Sequence, residues 1–565
     1  MESNDGAGPT ADKSWLIDLA LVPSKPPASG YIFSFSEYLA TLALLLVVVM
    51  ISDFRYRYRL ATHALRLQVL AFWIAVVVGL LLLAIDVWFE NSLPIPDALN
   101  NANNLKVLLG LVFLISVFYV VFVAFVRPPR FGRLNAERFL LVTWHTIHQG
   151  NPEKLQIVAE ELDRSIDHIL ALATPNSGSR VKSRKRRSFS IESTSSELLL
   201  LLADRRFCQV VVDKVPGFAA RFFLAVQKRP NCQLPVSQFA RNIGTEFIRN
   251  TESSFYQEES GHESGLFGYV KPLTKIIFGS HQFIEQCNSM GASPLSFDFG
   301  RTSEFNKMQM RGFSRAALAF FDSYIRASEG RTESYALNNI LSSFKHSVSG
   351  TYRLNGKSGD EWDTPEHHRL DVTINFIQSA VQLVDKHTSY DFGIRKREGT
   401  PSNILDDFSD LIFRVIIDAS AVSEPEWNCW SIQHNSVWAP LFDFDDSKTM
   451  KVIRIKVRRL IYEEIRRMDR APNFKGARIL GFCLNVLGLT PIDRHRGYGK
   501  EFFPTQIIVL DWTKKNYRRL LRDHPKVAES CLHGWVSYDK EMHRIVKTFS
   551  NETGREPKRE FLELD

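Results

Sequence analysis

The sequence predicts an integral membrane protein with three N-terminal transmembrane α-helices, followed by a large, mainly α-helical cytoplasmic region with a few short strands. Three observations predict it. Long apolar stretches are confined to residues 31–126. None occurs in the remainder of the 565 residues. That remainder spaces its apolar residues by threes and fours more often than by the strict alternation of a half-buried strand.

In chain order, residues 1–30 form an extracytoplasmic tail in which WLIDLALV (15–22) admits either a short interfacial helix or plain tail. The spans are expected near 31–52, 67–88 and 105–126. The third, VLLGLVFLISVFYVVFVAFV (107–126), is twenty uncharged residues, enough at about 1.5 Å per residue to cross about 30 Å of hydrocarbon. The second is interrupted near its edge by Gln68, and the first carries Glu37 as its single charge. A cleaved signal peptide is disfavoured for the first span. It starts late, lacks a basic n-region and is followed by arginines where small residues should permit cleavage.

Orientation follows from the retention of Lys and Arg in short cytoplasmic loops. Arg55, Arg57, Arg59 and Arg66 lie between the first two spans, and Arg127, Arg130 and Arg133 follow the third. The intervening loop carries Asp86, Glu90 and Asp97, with no Lys or Arg before Lys106. The N-terminus is therefore expected outside and the C-terminus in the cytoplasm, in a plasma or bacterial inner membrane. Trp88, Tyr56 and Tyr58 fall where interfacial aromatic belts are expected.

Residues 127–173 read as a juxtamembrane helical hairpin, with Phe139, Ile147, Leu155, Val158, Leu162 and Leu170 among the apolar positions of one face. Gly150, Asn151 and Pro152 break it, the proline suiting a first helical turn. Residues 174–196 are poor in bulky apolar groups and are expected as a disordered loop. Its Arg184, Lys185, Arg186 and Arg187 are expected to lie against anionic lipid headgroups. Nucleic-acid contact and a phosphorylation-controlled switch at Ser188 and Ser190 are the competing readings, and nucleic acid is not an expected partner. Residues 197–565 read as mainly helical, with two subdomains allowed by length; FCQVVVD (207–213) and TQIIVLD (505–511) have the β-branched character of strands. Loops are expected at 256–265, 350–365 and 388–403.

The net charge of +8 and pI of about 9.0 are accounted for by the juxtamembrane arginines and by attraction to anionic headgroups. The six cysteines form no CxxC pair and are expected as reduced structural thiols.

The densest set of candidate ligands is GDEWDTPEHHRLD (359–371). A helix starting after Thr364 would put His367 and Asp371 on one face at i, i+4, with His368 beside them, a metal-compatible spacing. The bland reading of the same residues is a capped, solvated helix start. DFDDSKT (443–449) fails as a calcium loop, because the sixth and twelfth positions are Lys448 and Arg454; acidic residues near a helix N-terminus account for it better. DFG at Asp391 lacks every other kinase motif. No phosphate loop, zincin motif, nucleophile elbow or dinucleotide fingerprint is present. Residues 451–468 are expected as an amphipathic helix with Lys451, Arg454, Arg458, Arg459, Arg466 and Arg467 largely off its apolar side; it reads either as a surface helix packed by its apolar stripe or as a basic face offered to phosphate, acidic protein or lipid headgroups.

The spans lack GxxxG, and Glu37, Asp86 and Lys106 sit near their edges, which argues against a transport path through one chain. The sequence is therefore read as a membrane-anchored cytoplasmic sensor or scaffold module with no cofactor and no catalytic site of its own. Its expected partners are the bilayer with its anionic headgroups and either a second copy or another protein. Two alternatives are an oligomeric membrane effector or channel gated by the cytoplasmic region, and a membrane-tethered metal-dependent hydrolase using the 360–371 cluster.

Overall fold

The computed structural model describes residues 21–23, 33–51, 53–96, 101–174, 190–230, 233–258, 272–297, 299–357, 363–388, 392–394, 403–442, 447–493, 497–549 and 558–565. The protein is mostly helical with few strands. Its contacts divide it into two compact units, Met1–Leu198 and Leu199–Asp565.

In the first unit, strand β1 (Leu21–Pro23) precedes helices α1 (Phe35–Ile51), α2 (Phe54–Thr62) and α3 (Leu67–Glu90). Strand β2 (Pro94–Pro96) and helix α4 (Ala102–Val121) follow, and α4 ends in a π-helical turn, Phe122–Val126. Next come α5 (Ala136–Gln149), α6 (Pro152–Asp163) and α7 (Ile166–Ala173); in chain order α8 (Ile191–Leu201) runs across the division at Leu198. Two helices, Leu67–Glu90 and Ala102–Val126, are long and apolar enough to cross a membrane. The helix on the first expected span is shorter, at 17 residues. Both long helices leave large apolar side chains exposed: Phe72 62%, Leu80 61% and Phe118 64%. Their inner faces close on Tyr38, Ala75, Val78, Leu82 and Phe113. The Tyr38 hydroxyl donates to the Ala75 carbonyl. Its ring occupies the space beside Gly79, where a Cβ would stand 2.8 Å from Cε1. Strands β1 and β2 pair antiparallel, Leu21 with Pro96 and Pro23 with Pro94.

The break at 150–152 has the expected chemistry. Gly150 adopts the left-handed conformation at φ 69°. Asn151 caps α6 by accepting from the amides of Glu153 and Lys154, and Pro152 takes the first turn. The hairpin expected over 127–173 is instead three helices. The chain breaks again at Arg164–Ser165, where the buried Ser165 hydroxyl accepts from the Phe131 amide at 3.1 Å. The loop expected over 174–196 also ends early, because α8 begins at Ile191. Residues 175–189 lie outside the described residues.

The second unit packs helices around a phenylalanine-rich core. Its first six helices are α9 (Arg205–Lys214), α10 (Pro216–Gln227), α11 (Ser237–Arg249), α12 (Ser254–Gln257), α13 (Pro272–Phe278) and α14 (His281–Ser289). Four longer ones follow: α15 (Lys307–Ser328), α16 (Tyr335–Val348), α17 (Pro365–His387) and α18 (Ile404–Ala419). The short α19 (Glu426–Trp430) leads through a π-helical stretch, Ser431–Trp438, into α20 (Ala439–Phe442). Helices α21 (Lys448–Arg467), α22 (Phe474–Leu487), α23 (Gly497–Asp523) and α24 (Pro525–Glu529) precede β3 (Val536–Asp539), β4 (Arg544–Thr548) and β5 (Arg559–Glu563). These strands form an antiparallel sheet in the order β3-β4-β5. Phe344 of α16 stacks on Phe376 of α17 at 4.0 Å, and Phe321 of α15 meets Phe408 of α18 edge to face.

Both segments with strand-like composition are helical. FCQVVVD lies in α9, whose N-cap Asp204 accepts from the Arg206 and Phe207 amides and which buries Phe207, Cys208 and three valines. TQIIVLD lies inside the 27-residue α23. In α9 the Asp204 cap and a buried apolar face outweigh β-branched propensity, which is a weak preference. Cys208, Cys287, Cys429, Cys483 and Cys531 are buried and unpaired to one another; Cys232 is outside the described residues.

Candidate functional site: the junction around Arg59

Helix α2 reads FRYRYRLAT and connects α1 to α3. Its arginines at i, i+4 share one face, and that face meets α6 and the end of α4. The Arg59 guanidinium donates to Glu161 Oε1 from Nε at 3.1 Å and Nη2 at 2.7 Å, and from Nη1 to the Ala124 carbonyl at 2.7 Å. The two side chains are 7% and 5% exposed. Arg55, a turn earlier, pairs with Glu160. Tyr58 is buried, and its hydroxyl shares a 2.8 Å hydrogen bond with Thr143 of α5. Burial raises that hydroxyl well above the ordinary phenol range, so it stays protonated. Asn135 donates to the Thr62 and Arg130 carbonyls, each at 3.0 Å, and accepts from the Gly132 amide. Tyr56 stacks on Phe125 at 4.1 Å.

These contacts join α2 to chain segments 65 to 105 residues away. The π turn is central to them. A π turn interrupts the regular helix ladder and is found often at functional sites; here its Ala124 carbonyl faces a buried cation. Removing either partner of a pair this buried leaves an uncompensated charge, so the pair holds α2 to α6, and the Ala124 carbonyl ties the end of α4 to the same guanidinium. The belt position expected of Tyr58 is corrected accordingly, because Tyr58 is core; Tyr56 is half-buried and stacks on Phe125 of the π turn.

No protein-family model matches the chain, and no curated protein matches it.

The sequence-derived metal candidates do not converge. Thr364 caps α17 by accepting from the His367 amide at 3.2 Å, with Pro365 in the first turn. His367 Nε2 is 3.2 Å from Ser436 Oγ, and His368 Nε2 is 2.8 Å from Asp363 Oδ1. Asp371 is exposed to solvent. Glu366 faces Arg353 and Arg369, and His387 faces Asp322. Asp360, Glu361 and Asp391 lie outside the described residues. Among the described residues, no three His, Cys, Asp or Glu side chains are grouped to hold a metal ion. The membrane-binding candidates Arg184, Lys185, Arg186 and Arg187 also lie outside the described residues, as do Asp443 to Asp446.

The basic face of 451–468 is smaller than expected. Arg454 is 4% exposed, and the buried Lys456 donates to Asp406 Oδ1 at 2.6 Å.

Sequence reasoning did not single out a buried polar network in the second unit. Asn485 donates to Gln433 Oε1 at 2.9 Å, and Gln433 Nε2 reaches the Val422 carbonyl at 2.9 Å and His533 Nδ1 at 3.2 Å. Lys547 donates to the Asn485 carbonyl, and Cys429 Sγ lies 3.5 Å from Asn485 Nδ2. Burial pushes the His533 imidazole down to about 4, the Lys547 ammonium down to about 8 and the Cys429 thiol up to about 12. A thiol held protonated, facing an amide rather than an imidazole, is not an activated nucleophile.

Proposed function

We propose that this chain is a three-span membrane protein, N-terminus outside and C-terminus cytoplasmic, that acts as a membrane-anchored sensor or scaffold module. The observation that carries the reading is a pair of contacts. Helix α2 packs on α5 and α6, so these lie on one side of a bilayer and an even number of crossings separates them; α3 and α4 supply two. Strand β1 pairs with β2, so their side is also shared, and α1 and α3 are the crossings between them. The 17 residues of α1 rise roughly 25 Å, close to the hydrocarbon thickness, and a shortfall of that size is met by tilt or local thinning. The arginine side of α2 is the cytoplasmic one by charge.

In this reading the junction around Arg59 is the element that couples the membrane helices to the helices following them. The test against a pore is reconstitution of the full chain into liposomes holding a potassium gradient. The anchored module leaves the gradient intact; discharge in proportion to protein would replace it with the channel reading. The basic cluster at 184–187 is assigned to the anionic leaflet. A peptide covering 174–196 should lose vesicle affinity by about 1 kcal/mol for each of Arg184, Lys185, Arg186 and Arg187 that is made neutral. Equal partition of the native and neutral peptides would remove that assignment.

A further inference from the structure

Helix α5 packs on α2 and α6 with one side, burying Phe139, Thr143, Thr146 and Ile147. Its other side is apolar where a solvated helix is ordinarily polar. Leu141 and Trp144 are 64% and 50% exposed, and Leu134, just before the helix, is 90% exposed. Spacings of three and four put Glu137, Leu141, Trp144 and His148 on one stripe, all exposed, with Glu137 as its single carboxylate. Trp144 stacks flat on His148 at 5.4 Å.

Two further observations bear on what covers this face. The first is continuity with α4, whose last residues Phe125 and Val126 are exposed. The connection to α5 carries Arg127, Arg130 and Arg133, also exposed. The second is Arg138, in the first turn of α5, whose Nη1 is buried and has no hydrogen-bond partner. Buried donors are ordinarily satisfied. Burial first, and the charge of Arg66 at the start of α3 second, hold this guanidinium below the ordinary arginine value. Neither arginine forms an ion pair among the described residues, so two like charges act on each other where an anion would relieve both.

We propose that the outer face of α5 lies in the cytoplasmic leaflet, with Leu134, Leu141 and Trp144 at the boundary of headgroups and acyl chains and with Arg66 and Arg138 on the phosphate of an anionic lipid. This rests on the three-span reading and adds where α5 sits. An interfacial helix of this kind sinks about 5–10 Å into the headgroup boundary, and tryptophan favours that depth. Free phosphate would satisfy the two arginines and leave the leucines in water. A second copy packed face to face would cover the leucines but bring the arginines of the α4–α5 connection against their own kind. An anionic lipid answers both the apolar stripe and the paired cations.

The test places single nitroxides on the full chain, with the native cysteines replaced, in discs of phosphatidylcholine and phosphatidylglycerol. The sites are Leu141→Cys on the outer face of α5, Leu80→Cys on α3 and Glu153→Cys on α6, all exposed. Collision with oxygen, which partitions into lipid, is compared with collision with a water-soluble nickel chelate. The oxygen-to-nickel ratio at 141 should approach that at 80 and exceed that at 153 on the order of tenfold. Nickel access at 141 beside a lipid-exposed 80 would overturn the placement of α5 and leave the spans standing; nickel access at both would overturn the three-span reading with it. A nitroxide at 141 that is immobile and shielded from both reagents would mean that protein covers the face, which also overturns the placement. Mass spectrometry of the lipid retained on release into detergent reads the headgroup contact. Arg66→Gln/Arg138→Gln should lower retained phosphatidylglycerol severalfold, and retention unchanged by that pair would overturn the phosphate assignment.

Discussion

At the residue scale, the pairing of Arg59 with Glu161 joins α2 to α6 inside the first unit. Both side chains are almost fully buried, so the loss of one strands the other. Arg59→Leu should cost about 3–5 kcal/mol, as should Glu161→Leu, while the double variant should cost less than either single change because no charge is left unpaired. Unfolding of the full chain in detergent measures this. A double variant as unstable as the sum of the singles would remove the pair as a coupled unit. None of this was legible locally. Arg55 and Arg59 were visible as topology-setting charges, but their partners lie about a hundred residues away, and no spacing rule links them. Tyr58 was misassigned for the same reason, since its hydroxyl partner Thr143 comes from another helix.

A second residue-scale consequence concerns pH. Burial holds the folded His533 near 4 against 6.5 for the free side chain. A depressed value means that the unfolded chain takes up a proton between these values and the folded chain does not. The stabilisation is complete above 6.5 and is lost as pH falls from there toward 4, on the order of 3 kcal/mol over the whole window. Asp418, pushed up to about 6 by burial with Arg414 partly opposing, acts in the reverse sense, because its contribution is lost as pH rises from 3.8 toward 6. The clean readout is therefore wild type against His533→Gln, measured by unfolding from pH 7 to 4.5. The variant should show the shallower acid loss; parallel curves would contradict a neutral buried imidazole.

Among the elements, the helix starts were the most legible. Asn151 with Pro152, and Thr364 with Pro365, each put an oxygen acceptor before a proline, and both cap helices. Periodicity identified α21, yet Arg454 and Lys456 are buried in it; long basic side chains join apolar faces when a partner such as Asp406 waits there. The strand readings at 207–213 and 505–511 failed because short β-branched runs fit a buried helix face equally well. The close approach of α1 and α3 at Gly79 gives an element-scale test. Gly79→Val should push against the Tyr38 ring and cost about 1–3 kcal/mol, and Tyr38→Leu in the same chain should recover part of the loss. Thermal unfolding in detergent that is unchanged by Gly79→Val would mean that these helices do not meet there.

For the whole molecule, the two helices long and apolar enough to cross a membrane were legible because a long uninterrupted apolar run shows in composition alone. The candidate chemistry was not. His367, His368 and Asp371 satisfy a metal-compatible spacing along one helix, but a site needs convergence from other elements, and the described partners of these histidines are Ser436 and Asp363. The central claim is the three-span arrangement that puts α2 and α6 on one side and the 92–96 turn on the other. It is tested most directly by labelling single cysteines in intact cells with a membrane-impermeant maleimide, after replacing the native cysteines. Ser92→Cys and Glu153→Cys are the sites, both exposed in the fold. The account predicts that Ser92→Cys labels in intact cells and that Glu153→Cys labels only after the membrane is opened. Labelling of Glu153→Cys in intact cells, or protection of Ser92→Cys until lysis, would contradict it.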